Sequence, residues 1–202
     1  FVDELKVKAS IGQQGNDNIG NWAYTDLYTV SKASNTLMSP TFYRMGNKDI
    51  TWETNGNFNA GIEFEVFDSR LTGSVEFFYR KTSDMLFSFP LPPTFGYTSY
   101  YANIGDMRNR GVELELNGTV VKTNDITWDI RLNMTNYKNK VTYLPEERKT
   151  MTMPDGTRGY SSGNYFYGED IPLYTFYLKK YAGVNENGEA LYYIQKKNED
   201  GT

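Results

Sequence analysis

The chain has 202 residues and a formal net charge of −4, from 21 Lys and Arg residues against 25 Asp and Glu residues, so we expect no nucleic-acid partner. It contains neither histidine nor cysteine, which excludes Ser-His-Asp and Cys-His catalysis, the usual histidine-containing zinc sites and disulfide bonds. Its mean hydropathy is −0.62, and no apolar stretch approaches the ~20 residues that a transmembrane helix requires.

Four runs of the sequence alternate apolar and polar residues over about ten positions each. Side chains of an extended strand point alternately to its two faces, so the run 57–66 places aromatic and aliphatic residues on one face and Asn, Gly and Glu on the other. The run 126–135 is equally regular, whereas 71–80 and 112–121 have two exceptions each. These runs predict four long strands, each with one apolar and one polar face.

Strand length and the lengths of the connections favour a membrane barrel. Strands of soluble proteins usually have about 5–6 residues, whereas a strand that crosses a bilayer needs about 9–11. The connections 68–70 and 122–125 are short, and the segments 12–56, 81–110 and 138–173 are long, as in outer-membrane barrels with short periplasmic turns and long external loops. The pattern predicts an all-β segment of a large antiparallel transmembrane β-barrel with long extracellular loops. The alternative is a soluble β-sandwich that binds glycan or acts in adhesion.

The positions of several aromatic residues are consistent with two membrane interfaces. The amphipathic ring of Tyr or Trp suits a boundary between lipid and water. Phe67 and Trp128 lie near the short connections, whereas Tyr79 and Tyr137 lie near the long ones. Trp52 leads from the first long loop into a strand, and we interpret it as an interfacial anchor rather than a sugar-stacking residue.

Two groups of tyrosines in the long loops are the candidate ligand-binding residues. The first follows the proline-rich segment 90–93, and the second lies in the segment 159–168 of the third loop. The candidates are Tyr97, Tyr100, Tyr101, Tyr160, Tyr165 and Tyr167. Their rings are suited to stacking on a carbohydrate. Packing between loops is the alternative role for the first group, and contact with a partner protein is the alternative for the second.

Two pairs of carboxylates stand two residues apart, Glu63 with Glu65 and Glu113 with Glu115. Glycosidases use paired carboxylates, so this spacing raises an enzymatic interpretation. Both pairs fall on the polar face of a predicted strand, where acids that line a barrel lumen are expected. We therefore expect no catalytic residue and no enzyme.

Acidic residues in the third long loop do not predict a metal site. Asp155, Glu169 and Asp170 lack the regular spacing of a calcium-binding loop. We expect neither a metal ion nor another cofactor.

The segment 185–188, Asn-Glu-Asn-Gly, predicts a hairpin turn between strands at 176–184 and 189–195. The lysines at its two ends, Lys179 with Lys180 and Lys196 with Lys197, favour an external hairpin. Whether it crosses the membrane instead is left open.

Several separated blocks resemble the late barrel of SusC/RagA-type TonB-dependent outer-membrane transporters, in the order of that family and over nearly the whole chain. The blocks are 5–16 (LKVKASIGQQGN), 70–76 (RLTGSVE), 79–86 (YRKTSDML), 90–93 (PLPP), 102–114 (ANIGDMRNRGVEL) and 180–185 (KYAGVN).

This resemblance implies a barrel of about 22 strands with an N-terminal plug, in the outer membrane of a Gram-negative bacterium. It also implies outer-membrane lipid as surroundings, energy from the inner-membrane TonB complex, and a SusD-like surface lipoprotein that helps to capture glycan or peptide nutrients. Residues 1–202 are expected to be part of one C-terminal β-barrel domain. The plug domain, the TonB-binding N-terminal regions and the final strands are expected outside them.

Overall fold

The computed structural model describes residues 1–32, 37–91, 94, 96–97 and 99–193. Nearly all regular structure in these residues is β-strand. The strands in chain order are β1 (Val2–Asn16), β2 (Leu27–Lys32), β3 (Met38–Arg44), β4 (Glu53–Val66), β5 (Leu71–Ser83), β6 (Leu86–Pro90), β7 (Ser99–Asn103), β8 (Asp106–Lys122), β9 (Thr127–Tyr143), β10 (Met151–Thr152), β11 (Arg158–Ser162), β12 (Tyr165–Gly168), β13 (Thr175–Phe176), β14 (Tyr181–Val184) and β15 (Ala190–Tyr192). Within the described ranges, no helix is long and apolar enough to cross a membrane.

The five long strands form one antiparallel sheet in the order β1-β4-β5-β8-β9, which we call the main sheet. Each has 13 to 17 residues, more than the about 9–11 needed to cross a bilayer. The four alternating runs lie in β4, β5, β8 and β9, so the predicted strands are confirmed. The fifth strand, β1, pairs in register with β4 from Glu4 to Asn16.

The long connections are shorter than their sequence-based bounds, because the strands continue beyond their alternating parts. Residues 12–16 pair with 53–57, so the first connection narrows from 12–56 to 17–52. In the same way the second connection narrows from 81–110 to 84–105, and the third connection begins at 144 instead of 138. The strand ends are held by backbone hydrogen bonds, which do not depend on whether a side chain is polar or apolar.

Both short turns lie at one end of the main sheet. In the turn between β4 and β5, Phe67, Asp68 and Ser69 all have φ near +60°, and the backbone N–H of Arg70 donates to the carbonyl of Phe67 at 3.2 Å. The turn between β8 and β9 spans 123–126 and is closed by a backbone hydrogen bond of 2.8 Å. The long connections therefore emerge from the opposite end, as the barrel interpretation predicts.

The register assembles apolar side chains into continuous rows on one face of the main sheet. One row crosses all five strands through Val7, Ile62, Val75, Leu114 and Met134, because residues directly opposite each other share a face. Val7 is 79% exposed and Met134 is 56% exposed, so no second sheet of the described residues covers this face. The opposite face carries a polar row made of Lys6, Glu63, Ser74, Glu115 and Asn133.

The long connections contain small sheets of their own. The first holds the hairpin of β2 and β3, the second holds the hairpin of β6 and β7, and the third holds the four-stranded sheet β10-β11-β12-β13. A short 3-10 helix, Glu146–Arg148, precedes β10. Pro90 is the last residue of β6, and prolines 92 and 93 lie outside the described residues.

The hairpin turn predicted at 185–188 is confirmed. Strands β14 and β15 pair on either side of it, and the backbone N–H of Gly188 donates to the carbonyl of Asn185 at 3.0 Å. Residues 194 and 195 of the predicted second strand lie outside the described residues. Among these residues β14 and β15 form a separate two-stranded sheet, and an external position for it stays a prediction.

On the barrel interpretation the apolar face of the main sheet contacts lipid, so we expect Ile62→Arg to destabilise the full-length protein by about 2–4 kcal/mol, the cost of a cation near the bilayer midplane. Ile62 is the third of the five apolar residues that β4 presents to this face. The measurement is the fraction of protein in outer-membrane preparations that shows heat-modifiable mobility in electrophoresis. The matched control is Asn133→Arg on the opposite face, where Glu115 lies directly opposite in the register. If the two variants lost the same fraction of heat-modifiable protein, the assignment of the apolar face to lipid and the polar face to the lumen would be contradicted.

Candidate functional site

The three long connections fold against one another at the end of the main sheet opposite the short turns. We call the described residues of 17–52, 84–105 and 144–177 the loop assembly. Hydrogen bonds join its first two parts: the side-chain amide of Asn47 donates to the carbonyl of Tyr101 at 3.0 Å, and the backbone N–H of Thr51 donates to the side chain of Asn103 at 2.9 Å. These contacts fix the entry into β4 against the end of β7.

Aromatic contacts reinforce the junction between the first and second connections. The ring of Tyr97 packs edge-on against Phe42 with centroids 4.8 Å apart, and Phe42 in turn contacts Tyr28 at 4.5 Å. The guanidinium of Arg44 lies 6.0 Å from the centroid of the Tyr101 ring. Two of the candidate tyrosines therefore contact the neighbouring loop.

Arg148 joins the second connection to the third. Its guanidinium donates a hydrogen bond to the hydroxyl of Tyr100 at 2.6 Å and lies 3.4 Å from the centroid of the Phe89 ring. Phe89 is only 2% exposed, so the cation meets the negative face of a ring that is shielded from water. Such contacts contribute about 2 kcal/mol when desolvated, which is more than an exposed ion pair. This single side chain is the main polar link between the two loops.

The third connection contains a group of stacked aromatic rings. Tyr160 on β11 and Tyr167 on β12 stack with centroids 5.0 Å apart and planes inclined by 16°. Tyr165 contacts Phe176 at 5.5 Å and Tyr174 at 5.6 Å. The strands bring these rings together because Tyr160 pairs with Tyr167, and Tyr165 with Phe176, in the ladder of the small sheet.

The hydroxyl of Tyr160 is buried and has no hydrogen-bond partner within the part of the chain that the structure describes. Burial raises the pKa of this hydroxyl to about 12, and the positive charge of Arg148 partly opposes the shift. A buried hydroxyl without a partner costs about 1–3 kcal/mol. This hydroxyl therefore lies in the packed interior of the third connection and not on a surface that a ligand can reach.

The six candidate tyrosines form two groups and not one cluster. Tyr97, Tyr100 and Tyr101 lie at the junction of the first two connections, and the other three lie in the third. All six are half-buried or buried, so their rings face protein more than solvent. Their role in ligand binding stays a prediction. More accessible rings that the sequence interpretation missed include those of Tyr43 (67% exposed), Tyr174 (60%) and Phe176 (68%). For Tyr174 and Phe176 the aromatic run 174–177 was the available signal.

The paired carboxylates lie on the polar face of the main sheet. The ammonium of Lys8 on β1 donates to Glu63 at 2.6 Å, and Lys6 is 2.8 Å from Glu4 on the same strand. Glu115 lies two strands from Glu63 in the same polar row. The acids therefore belong to a charged wall that is partly neutralised by lysines. Among the described residues, no group of three or more potential ligands is arranged to hold a metal ion.

Comparison with known proteins identifies the family. The family model described as TonB dependent receptor-like, beta-barrel, matches residues 1–198. The chain belongs to this family. The receptor SusC of Bacteroides thetaiotaomicron is 32% identical over 151 residues, which are 71% of this chain and 15% of SusC. TonB-dependent receptor P39 of Formosa agariphila is 30% identical over 190 residues, 94% of this chain and 17% of that receptor.

A solved structure gives the same result. The RagAB peptide transporter matches with a TM-score of 0.81 and 31% sequence identity, over 99% of this chain and 22% of the transporter chain. The chain thus spans about a fifth of the length of these relatives.

Family membership confirms the β-barrel fold, the outer-membrane location in a Gram-negative bacterium and the resemblance to SusC/RagA-type receptors. TonB-dependent receptors are not enzymes, as the sequence analysis expected. The apolar face of the main sheet therefore contacts lipid, its polar face lines the lumen, and the loop assembly is extracellular. The soluble β-sandwich interpretation is wrong, because the chain belongs to a family of outer-membrane barrels and no second sheet of the described residues covers the apolar rows.

We expect Arg148→Ala to loosen the second and third connections relative to each other, because it removes both the hydrogen bond to Tyr100 and the cation over Phe89. The loss should be about 2–3 kcal/mol of local stability. The measurement is the distribution of distances between spin labels at the exposed positions Ser88 and Thr152 in the full-length protein, which should broaden.

The matched control is Arg158→Ala in the same connection. This change removes an exposed arginine that pairs with Glu146 at 3.1 Å, so it should leave the distance distribution unchanged. Equal distributions in the Arg148→Ala variant and the unchanged protein would show that other contacts hold the loops together.

A second expectation concerns the titration of Tyr160. The folded loop keeps this proton up to pH about 12, whereas an unfolded tyrosine releases it near pH 10, so the loop loses stability as the pH rises from about 10 to 12. The difference in tyrosinate absorbance between the full-length protein and its Tyr160→Phe variant should show one group with a midpoint near 12. A midpoint near 10 would mean that the hydroxyl is in water.

Proposed function

We propose that the protein containing this segment imports oligomeric nutrients, glycan oligosaccharides or peptides, across the outer membrane in a TonB-dependent manner, together with a SusD-like surface lipoprotein. The observation that carries the proposal is the match to the RagAB peptide transporter over 99% of the chain, which includes the loops as well as the wall. Similarity to SusC supports the same class of receptor. RagAB is a peptide transporter, whereas the name of SusC gives no substrate, so the proposal includes both glycans and peptides.

The loop assembly supplies a fitting entrance for such a ligand. Its aromatic rings offer flat apolar faces to sugar rings or peptide side chains. Because Arg148 ties two connections together, the site is largely formed before the ligand arrives, which lowers the entropy lost on binding.

The partner lipoprotein would contact the most exposed part of the same assembly. Tyr43, Tyr174 and Phe176 are each at least 60% exposed, and aromatic residues are enriched at protein interfaces. We place the plug, the TonB-binding segment and the final strands outside residues 1–202. The outer edge of β1, which pairs only with β4 among the described residues, would then pair with another barrel strand.

The test is uptake by cells that carry the full-length receptor as their only copy, compared with cells that lack it. The probes are labelled malto-oligosaccharides and labelled casein peptides. We expect receptor-dependent uptake of one class, with loss of uptake but not of surface binding when a protonophore removes the energy that the TonB complex uses. Receptor-dependent uptake that a protonophore leaves unchanged would contradict TonB-dependent import.

Tyr165→Ala tests the loop assembly as the binding site. We expect roughly fivefold weaker surface binding of the imported oligomer, about 1 kcal/mol for one lost aromatic contact. The control is Tyr143→Ala, which removes an exposed tyrosine at the end of β9, outside the loop assembly. Normal binding by the Tyr165→Ala variant would place the ligand elsewhere while leaving the import proposal intact.

A further inference from the structure

Five basic side chains form a patch on the main sheet next to the loop assembly. We call Lys81, Arg108, Arg110, Lys138 and Lys140 the outer basic patch. The register places Lys81, Arg108 and Lys140 in one row across β5, β8 and β9, and it places Arg110 opposite Lys138 in the next row. Strands are about 4.8 Å apart and residues two apart are about 7 Å apart, so the backbone positions span roughly 10 Å by 7 Å.

The outer basic patch lies on the same face as the apolar rows. Arg110 is two residues from Val112 on β8, and Lys138 is four residues from Met134 on β9, with no register shift between them. An even separation along a strand keeps side chains on one face. On β8 and β9 the lipid-facing wall therefore changes from apolar to basic toward its loop end, at the height of the extracellular interface, whereas β1, β4 and β5 still present Ile11, Phe58 and Tyr79 in the row of Arg110.

The charges of this patch are only partly neutralised. Lys81 lies 3.4 Å from Asp106, and Lys140 lies 2.6 Å from Asp170. Within the described part of the chain, the other three members of the patch form no salt bridge. Five positive charges less two negative charges leave an excess of three, in a chain whose net charge is −4.

This arrangement is unfavourable without a further anion. Like charges directly opposite each other on neighbouring strands destabilise a sheet, and the register creates such pairs between Arg110 and Lys138, between Arg108 and Lys140, and between Lys81 and Arg108. Long basic side chains at a membrane interface extend toward the head groups, where anions are available.

We propose that the outer basic patch binds the phosphate groups of a phosphorylated glycolipid in the outer leaflet. The acyl chains lie along the apolar rows, and the phosphates lie one to two rows higher, against the basic side chains. The two arginines provide planar donor pairs that match phosphate oxygens, and the lysines provide point charges. The inference rests on the family-based membrane placement and does not depend on the imported substrate or the partner lipoprotein.

The test measures binding of lipid A to the purified full-length receptor in detergent. The probes are phosphorylated lipid A and the same lipid A with its phosphates removed. We expect the unchanged receptor to bind the phosphorylated form at least tenfold more tightly, and we expect this preference to weaken as salt is raised. Equal binding of the two probes by the unchanged receptor would overturn the proposal, and this comparison needs no variant that must fold.

The matched variants carry three substitutions each. Arg108→Gln, Arg110→Gln and Lys138→Gln together remove the members without a salt bridge, and we expect them to abolish the preference for phosphate. Lys8→Gln, Arg80→Gln and Arg131→Gln remove the same number of positive charges from the lumenal face, and this control should keep the preference. Heat-modifiable mobility verifies that both variants are folded.

Two results would contradict the assignment of the phosphate site. We call the variant with Arg108, Arg110 and Lys138 replaced the outer variant. One contradicting result is a preference for phosphorylated lipid A that survives in this variant. The other is its loss in both variants alike, because general loss of positive charge would then explain the binding. If the outer variant changes only the oligomeric state while it binds lipid A normally, the patch contacts a second copy of the receptor, and the lipid proposal fails.

Discussion

Every other feature of this segment depends on the hydrogen-bond ladder of the main sheet. Inside a bilayer no water satisfies a backbone N–H or carbonyl, so each strand must pair along its whole length. The ladder fixes the register, and the register decides which side chains face lipid and which face the lumen. A slip of one residue between β4 and β5 would move Ile62 and Val75 to opposite faces. It would also bring Glu63 into the apolar rows, which is why this pairing is strongly specified.

The sequence predicts the wall of the barrel better than its loops because only the wall has a simple period. The side chains of β4 and β9 alternate between lipid and lumen, so their pattern reveals both existence and orientation. The sequences at the strand ends do not follow this alternation. Residues 12–16 are Gly, Gln and Asn, which carry no alternation, and yet they pair with β4 through backbone groups. The small loop sheets were not predicted, because short strands such as β10 and β13 have two residues each.

The density of tyrosines predicted where the loop assembly would be aromatic, but it did not predict the contacts that organise it. Arg148 was not singled out because nothing in its local sequence distinguishes it from other exposed arginines. Its partners Phe89 and Tyr100 lie 59 and 48 positions away along the chain, and only the folded arrangement brings them within reach. The same limit applies to Phe42 and Tyr97. Aromatic composition thus locates a surface, whereas long-range packing decides which rings remain accessible.

Strand β8 shows how one alternating pattern carries several interactions at once. Toward the lumen it presents Glu113 and Glu115, and toward lipid it presents Leu114 in the apolar rows, followed at the loop end by Arg110 and Arg108. The change from apolar to basic occurs only on the lipid-facing side. In a soluble sheet a charged side chain is tolerated at any exposed position. A change from apolar to basic residues at one height along a strand would therefore not be expected there. The position of the change therefore follows the membrane interface, and the apolar length of β8 is matched to the thickness of the bilayer.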